Sequence, residues 1–513
     1  MRRLLPLTRI PKSTGQTTSQ YFPNTSIESG TWGNMTDSAK ILLTGEEKPV
    51  YQLGPLKKEL AELTTQLLRD NHREWHVYFN DKGFHNHIPH QLLTLYALCA
   101  PPSALTAAYK DNSTYQRPLQ PAHANTFSAL SPSSPSSPFP YAQHLGDGDY
   151  YQDYVVYFAS QVAAKGWPAV VRESLFAATP AAEDLLARLY AGIVHPLLHL
   201  GFGVEFALEG IVVEGLAQTA VHENWTARIF RDCDEASAKK GFRQGGGKRK
   251  SFLQLVREVS ADETVREAAR GVGQYSDGRE MWDTVGERLA DVAGEFVVWP
   301  TEEDVERRVA EVFNGAVLLA TTALQPHHIP KLDFFHTHLI TSSISLLSLL
   351  RSSPLSLPPS TKSRLLTLFA RIALFVYATR GAQPLSPSRL YSYVPKQPDD
   401  GETELVKRAV AVPGDDGHVV KAVRSVLAAR QLCGASPFRP QQQQQQQQQK
   451  DQHGEGEEEE SFEWGITDDA TWLKAAHLVV DAVEAPGPKW VRAAGWVELW
   501  KEVPLVEDEG KSV

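Results

Sequence analysis

The stretch AAEDLLARLYAGIVHPLLHLGFGVEFALEGIVVEGLAQTAVH, residues 181–222, decides the fold class. Its apolar residues recur at spacings of three and four, the period of an α-helix. No charged residue occurs between Arg188 and Glu205, so this part reads as a helix in an apolar setting. His195 and His199 lie inside it at i and i+4 and therefore share one face. Buried imidazoles need partners, and two rings on one face are explained together by a shared metal ion. Glu205 and Glu209 repeat the spacing and are candidates to hold the outer nitrogens of those rings; the alternative is a solvated or helix-paired carboxylate.

The same periodicity continues outward. Helices are expected at 56–72, 90–100, 254–270, 281–298, 302–323, 333–351, 361–379, 402–411, 417–431 and 468–483, and alternating strand patterns are hard to find. The expected fold is all-α, one large multi-helix domain with a metal site between buried helices. Three stretches read as insertions: SALSPSSPSSPFP at 128–140, GFRQGGGKRK at 241–250, and 436–460, which runs through polyglutamine into GEGEEEE. The organisation expected is a flexible segment at 1–50, a helical domain over 51–435 and 461–505, and a disordered insertion at 436–460.

Composition narrows the function. With 51 basic against 61 acidic residues the net charge is −10, which leaves no basic face for nucleic acid. Cys99, Cys233 and Cys433 show no CxxC spacing, which fits a reducing compartment and excludes a thiolate cluster. The first 27 residues carry Arg2, Arg3, Arg9 and Lys12 and no acid, the composition of a transit peptide, but Pro6 and Pro11 spoil an amphipathic helix. A cytoplasmic location is expected, with a mitochondrial one as the alternative. No run of about 18 apolar residues is uninterrupted, so no membrane span is expected.

Other histidines fall into groups. In GFHNHIPHQLLTLYALCA, His85, His87 and His90 lead into an apolar helix whose first turn accommodates Pro89; they either ligate a metal or bond loop backbone. In DFFHTHLITSS, His336 and His338 are two apart and diverge by about 200° on a helix, so only one faces a given site. In GDDGHVVKAVRSVLAA, His418 and Lys421 stand at i and i+3; a buried lysine there becomes a neutral, nucleophilic amine, and the alternative, the default for an isolated sequence, is a surface lysine that snorkels to solvent. His72 and His76, flanked by Asp70, Arg73 and Glu74, read as a solvated face; His222, His327 and His328 read as a helix end and a loop. There is no GxGxxG after a strand, no GxxxxGK[ST] and no GxSxG, which argues against a Rossmann-bound flavin or nicotinamide.

Four runs, taken in order, resemble the questin oxidase family: GFHNHIPHQLLTLYALCAPPSALTAAYKDNSTYQRP, LYAGIVHPLLHLGFGVEFALEGIVVEGLAQTAVH, DFFHTHLITSS and DGHVVKAVRSV. The resemblance extends over roughly residues 70–500. It implies a fungal Baeyer-Villiger-type oxidase of aromatic polyketide pathways that opens an anthraquinone-like ring with O2, with NADPH associated with some members. It also implies non-haem Fe(II) held by histidines and a lysine carbamate: here His87 or His90, then His195, His199, His338 and Lys421. Such a ligand set is coherent, since imidazoles suit iron and a carbamate oxygen balances its charge. Tyr115 and Arg117 in DNSTYQRP are the implied catalytic pair, bonding a phenolate or an enolate; the alternative is a turn before Pro118. Gln91 stands where relatives carry a further histidine. Two rival functions keep the helical scaffold, a zinc-dependent hydrolase and a non-catalytic scaffold protein.

Overall fold

The computed structural model describes residues 40–123, 142–242, 249–436 and 465–506. The readings made for the first 39 residues, for 128–140, for most of 241–250 and for the polyglutamine stretch lie outside the described residues. Nineteen α-helices are present among the described residues, with isolated bridges but no strand, so the fold is all-α.

In chain order the first eight helices are α1 (Lys58–Glu74), α2 (Ile88–Ala97), α3 (Pro102–Ser113), α4 (Tyr151–Lys165), α5 (Trp167–Leu175), α6 (Pro180–Arg188), α7 (Ala191–Glu205) and α8 (Glu209–Val221). Next come α9 (Thr226–Lys239), α10 (Phe252–Ala261), α11 (Glu263–Ala269), α12 (Trp282–Ala293), α13 (Glu302–Thr322) and α14 (Phe334–Arg351). The chain closes with α15 (Pro359–Thr379), α16 (Pro387–Tyr391), α17 (Glu402–Ala411), α18 (His418–Ala435) and α19 (Asp469–Glu484). Helices α3, α4, α5, α9 and α16 fall outside the ranges expected from periodicity; α3, for example, buries only Leu105 and Asn112, too little for an apolar stripe.

The stretch 181–222 forms three helices rather than one. Gly192, Ile193 and Val194 all take left-handed backbone angles, with φ of 53°, 53° and 58°. For β-branched residues this costs about 1–2 kcal/mol each, and it persists only where the surroundings impose it. Pro196 follows His195 in the first turn of the right-handed part of α7, where its missing N–H is not needed.

Helix α7 runs through the middle of the molecule, packed between α8 and α14, while α2 and α14 both contact α18. Glycine sets these approaches. A Cβ on Gly201 would lie 2.2 Å from Cβ of Ser345 on α14, and one on Gly215 would lie 2.7 Å from Cα of Leu200. Most buried apolar side chains form one continuous cluster from Ile41 to Ala494, and Leu324, Val491, Trp500 and Val503 form a second, smaller one. Residues 40–50, expected to be part of a flexible segment, belong to this body: Ile41 and Leu43 are buried, and the Leu43 N–H donates to Thr65 at 2.9 Å. Among the described residues no single helix is long and apolar enough to cross a membrane.

Candidate metal centre

Four imidazoles close a ring where α2, α7, α14 and α18 begin. His87 is the N-cap of α2, His195 opens the right-handed part of α7, His338 lies in the second turn of α14, and His418 is the first residue of α18. Around the ring, successive centroids are separated by 5.2 Å (His87 to His195), 4.8 Å (His195 to His338), 5.0 Å (His338 to His418) and 4.7 Å (His418 to His87). All four side chains are buried.

The hydrogen bonds at the outer nitrogens fix the tautomers. Carbonyl and carboxylate oxygens only accept, so an Nδ1 that contacts one carries the hydrogen. His195 donates from Nδ1 to the Gly192 carbonyl at 2.7 Å and His338 to the Phe334 carbonyl at 2.7 Å. His87 donates to Oδ2 of Asp416 at 2.9 Å, and His418 to Oδ1 of the same carboxylate. Each inner Nε2 therefore presents a bare lone pair. Those of His87 and His195 face each other at 3.0 Å, those of His338 and His418 at 3.3 Å.

Protonation does not relieve the opposition of these lone pairs. Burial lowers the pKa of all four rings, that of His418 to about 4, because the charged form is desolvated. Lys421, whose charge acts on all four, adds to the effect. Burial also works against ionisation of Asp416, but His418 and His87 outweigh it and hold that carboxyl well below its usual range. Lys421 is itself buried, and its Nζ has no hydrogen-bond partner among the described residues. Burial pulls the amine down to about 8 against the opposing charges of Asp416 and Asp415.

A second arm leads outward from the ring. His199 donates from Nε2 to Glu214 at 2.7 Å, and its Nδ1 is 3.1 Å from Nε2 of His90. The other oxygen of Glu214 meets Nδ1 of His72 at 2.6 Å. Burial alone would raise the Glu214 pKa, but the bonds from His199 and His72 hold it at about 2. On another side His85 stacks on His195, with centroids 3.9 Å apart and planes within 9°, and bonds Nε2 of His222 at 2.8 Å. Gly192 makes room for that pair, since a Cβ there would stand 2.3 Å from Nε2 of His222.

Several sequence expectations are corrected here. His72 and His76 are not a solvated face, because the chain leaves α1 at Trp75 and turns inward, which buries His76 and joins His72 to Glu214. His222 does end α8, but it is buried one ring away from His195. Glu205 and Glu209 do not hold the histidines: Glu205 pairs with Arg424 and Glu209 faces the Lys40 N–H. Tyr115 and Arg117 are not brought together, for the Tyr115 hydroxyl bonds Asn112 while Arg117 pairs with Asp81 and lines a separate cavity. As the spacing required, His336 and His338 diverge: His336 lies beside Tyr377, with ring centroids 5.8 Å apart. Asp416, Glu214 and the ring position of His418 were missed.

The donors fit a metal ion. Four lone pairs from neutral imidazoles converge, each opposite nitrogen is held by an oxygen, and a buried amine nearby lacks a partner. His87, Asp416 and His418 offer ligand atoms within 4.8 Å of one another, yet both Asp416 oxygens are committed to ring N–H groups, so the carboxylate orients the rings.

Fold and site together define an all-α protein built around a buried cluster of histidines, a carboxylate and a lysine. The chain belongs to the questin oxidase-like family, whose model matches residues 84–426. It is 32% identical over 483 residues to a questin oxidase of Aspergillus terreus, covering 93% of this chain and 100% of that protein. A Baeyer-Villiger oxidase of Pestalotiopsis fici is 32% identical over 473 residues, covering 91% and 98% of the two chains. A questin oxidase of Aspergillus fumigatus is 31% identical over 456 residues, covering 87% and 94%. The chain is accordingly an oxidoreductase.

Proposed function

We propose that the chain uses O2 to open a ring of an anthraquinone or related aromatic polyketide, at Fe(II) held by His87, His195, His338 and His418 with Lys421 as a carbamate. The observation that carries this reading is the pair of opposed, unprotonated Nε2 contacts, which call for a cation between them. Bound there, a redox metal would supply the one-electron chemistry that O2 requires. His90 and His199, the other expected ligands, stand beside the ring and bond each other, and we assign them to its support.

The chain's own groups prepare the site. Asp416 holds two rings in one tautomer, and the Gly192 and Phe334 carbonyls hold the other two. Burial favours the neutral amine of Lys421, whose nitrogen adds to the carbon of CO2 and loses a proton, leaving an anionic oxygen donor. The names of the relatives as questin and Baeyer-Villiger oxidases support the substrate class.

Metal analysis of protein purified without added metal or chelator, followed by oxygen uptake with hydroxylated anthraquinones in the presence and absence of NADPH, tests the proposal. The expected result is about one iron per chain and substrate-dependent uptake. Zinc at full occupancy without uptake would favour a hydrolase.

A further inference from the structure

Two cavities reach groups that hold the imidazole ring, Gly192 in one and Asp416 in the other. One, of about 460 Å³, lies beside Tyr78 and His222, but its walls hold the ion-paired groups Arg117, Asp81, Arg279 and Glu223, which stay hydrated. The other, of about 340 Å³, lies between α3 and the turn joining α17 to α18, and is built differently. Ala104, Ala107 and Ala108 form one wall, and Ala409, Val410 and Val412 the other. These short side chains leave a slot with two apolar faces, and its volume falls in the roughly 300–1,000 Å³ range of small-molecule sites.

The inner end is polar and mainly accepting. Both Asn112 N–H groups are used, on Gln91 Oε1 at 2.6 Å and on the Ala108 carbonyl at 2.9 Å. The Gln91 amide donates to the Asp415 carbonyl at 3.1 Å, and the Tyr115 hydroxyl donates to Asn112. What remains open is mostly acceptor capacity, on the Tyr115 oxygen and on the second lone pairs of the Asp415 and Asp416 carboxylates, beside one uncommitted N–H of the Gln91 amide. The Asp416 side chain is 39% exposed while its oxygens hold His87 and His418, so the inner wall of the slot is the carboxylate that fixes two of the four rings.

We infer that this slot binds the substrate as a flat, hydroxylated aromatic whose phenolic O–H groups donate to Asp416, Asp415 and Tyr115. The inference rests on the ring-opening reading above and adds a location and a selectivity to it. An anionic aromatic is disfavoured, because no cationic side chain lines the slot among the described residues and its polar end is acidic.

The test is equilibrium binding to the purified protein, followed by absorbance, of anthraflavic acid (a dihydroxyanthraquinone) and of its dimethyl ether. Ala108→Leu and Ala104→Leu each narrow the slot from a half-buried position on α3. The phenol should bind and the ether should bind far more weakly, for want of a donor. Each leucine should weaken phenol binding by about tenfold or more while metal content and helical dichroism stay unchanged. Equal binding of phenol and ether, unchanged binding in both variants, no binding of the phenol, or a crystal complex with the compound beside His222 would overturn the assignment. Failure of the ring-opening reading would show separately, in metal content and oxygen uptake of the unaltered protein.

Discussion

His87 and His195 meet Nε2 to Nε2 across 3.0 Å with no hydrogen between them, because each ring has committed its hydrogen to an oxygen on the other side. Two lone pairs at that distance repel unless a cation takes both. His338 and His418 repeat the arrangement at 3.3 Å, and His418 is the proposed ligand that spacing arguments passed over. His418→Ala should therefore reduce bound metal from about one per chain to a small fraction, with helical dichroism nearly unchanged. Full metal retention in the variant would remove the ring from consideration.

Asp416 is more telling than any single ring, because one carboxylate serves two. Asparagine keeps the size but offers a single acceptor oxygen, so either His87 or His418 would face an N–H group instead. Asp416→Asn should weaken metal binding by about 10–100-fold, measured by competition with a chromogenic chelator. Unaltered affinity would mean that the carboxylate does not orient the rings.

What the sequence reveals of this site, and what it hides, follows from chain distance. The His195 and His199 pair and the buried character of α7 are local, and i,i+4 arithmetic reads them directly. The same arithmetic assigns both rings to one ion, whereas the left-handed turn at 192–194 delivers His195 to the ring and His199 to His90 and Glu214. Asp416 acts on His87, 329 positions away, and Glu214 joins His72 to His199 across separate helices, so no spacing rule reports either role. The charges around His72 suggest solvent because a chain turn after α1 has no periodic signature.

Packing of α7 against α14 depends on Gly201. An added Cβ would meet Cβ of Ser345 at 2.2 Å and its Cα at 2.6 Å, and backbone does not yield as a flexible side-chain end does. Gly201→Ala should lower the urea midpoint by an amount equivalent to roughly 1–3 kcal/mol or more. Gly434→Ala, on the exposed end of α18 with nothing within 4 Å, should be neutral or stabilising by about 0.5–1 kcal/mol. Similar effects at the two sites would contradict the close approach of the helices.

Acid should unfold the metal-free protein in two stages. Burial holds His222 and His418 at about 4 against an ordinary 6.5, so between those values the unfolded chain takes up protons that the folded chain refuses. The contribution of these two rings is complete above pH 6.5 and is lost as pH drops toward 4, by roughly 3 kcal/mol for each ring, while Asp415, raised to about 7 by burial, offsets part of that loss below pH 7. Glu214, held at about 2 against 4.5, contributes above pH 4.5 and is lost below it. Urea titrations at stepped pH should show a midpoint that begins to fall below pH 6.5; a midpoint flat to 4.5 would refute the neutral imidazole cluster.

In the proposed site, the state of Lys421 decides whether the fifth donor is an amine or a carbamate. With a pKa of about 8, roughly a tenth of the amine is neutral near neutral pH, enough to add to CO2 and be drawn over by metal binding. Loading of the metal-free protein with Fe(II) should therefore rise with added bicarbonate, and should rise with pH through about 8 as the amine deprotonates. Lys421→Ala should lose metal, and propionate, which restores a carboxylate in the vacated space, should return part of it. Lys421→Arg stays cationic and should bind no metal with or without propionate. The measurement is metal per chain after gel filtration. Loading indifferent to bicarbonate, together with full retention in Lys421→Ala, would reduce the lysine to a packing residue beside an all-imidazole site.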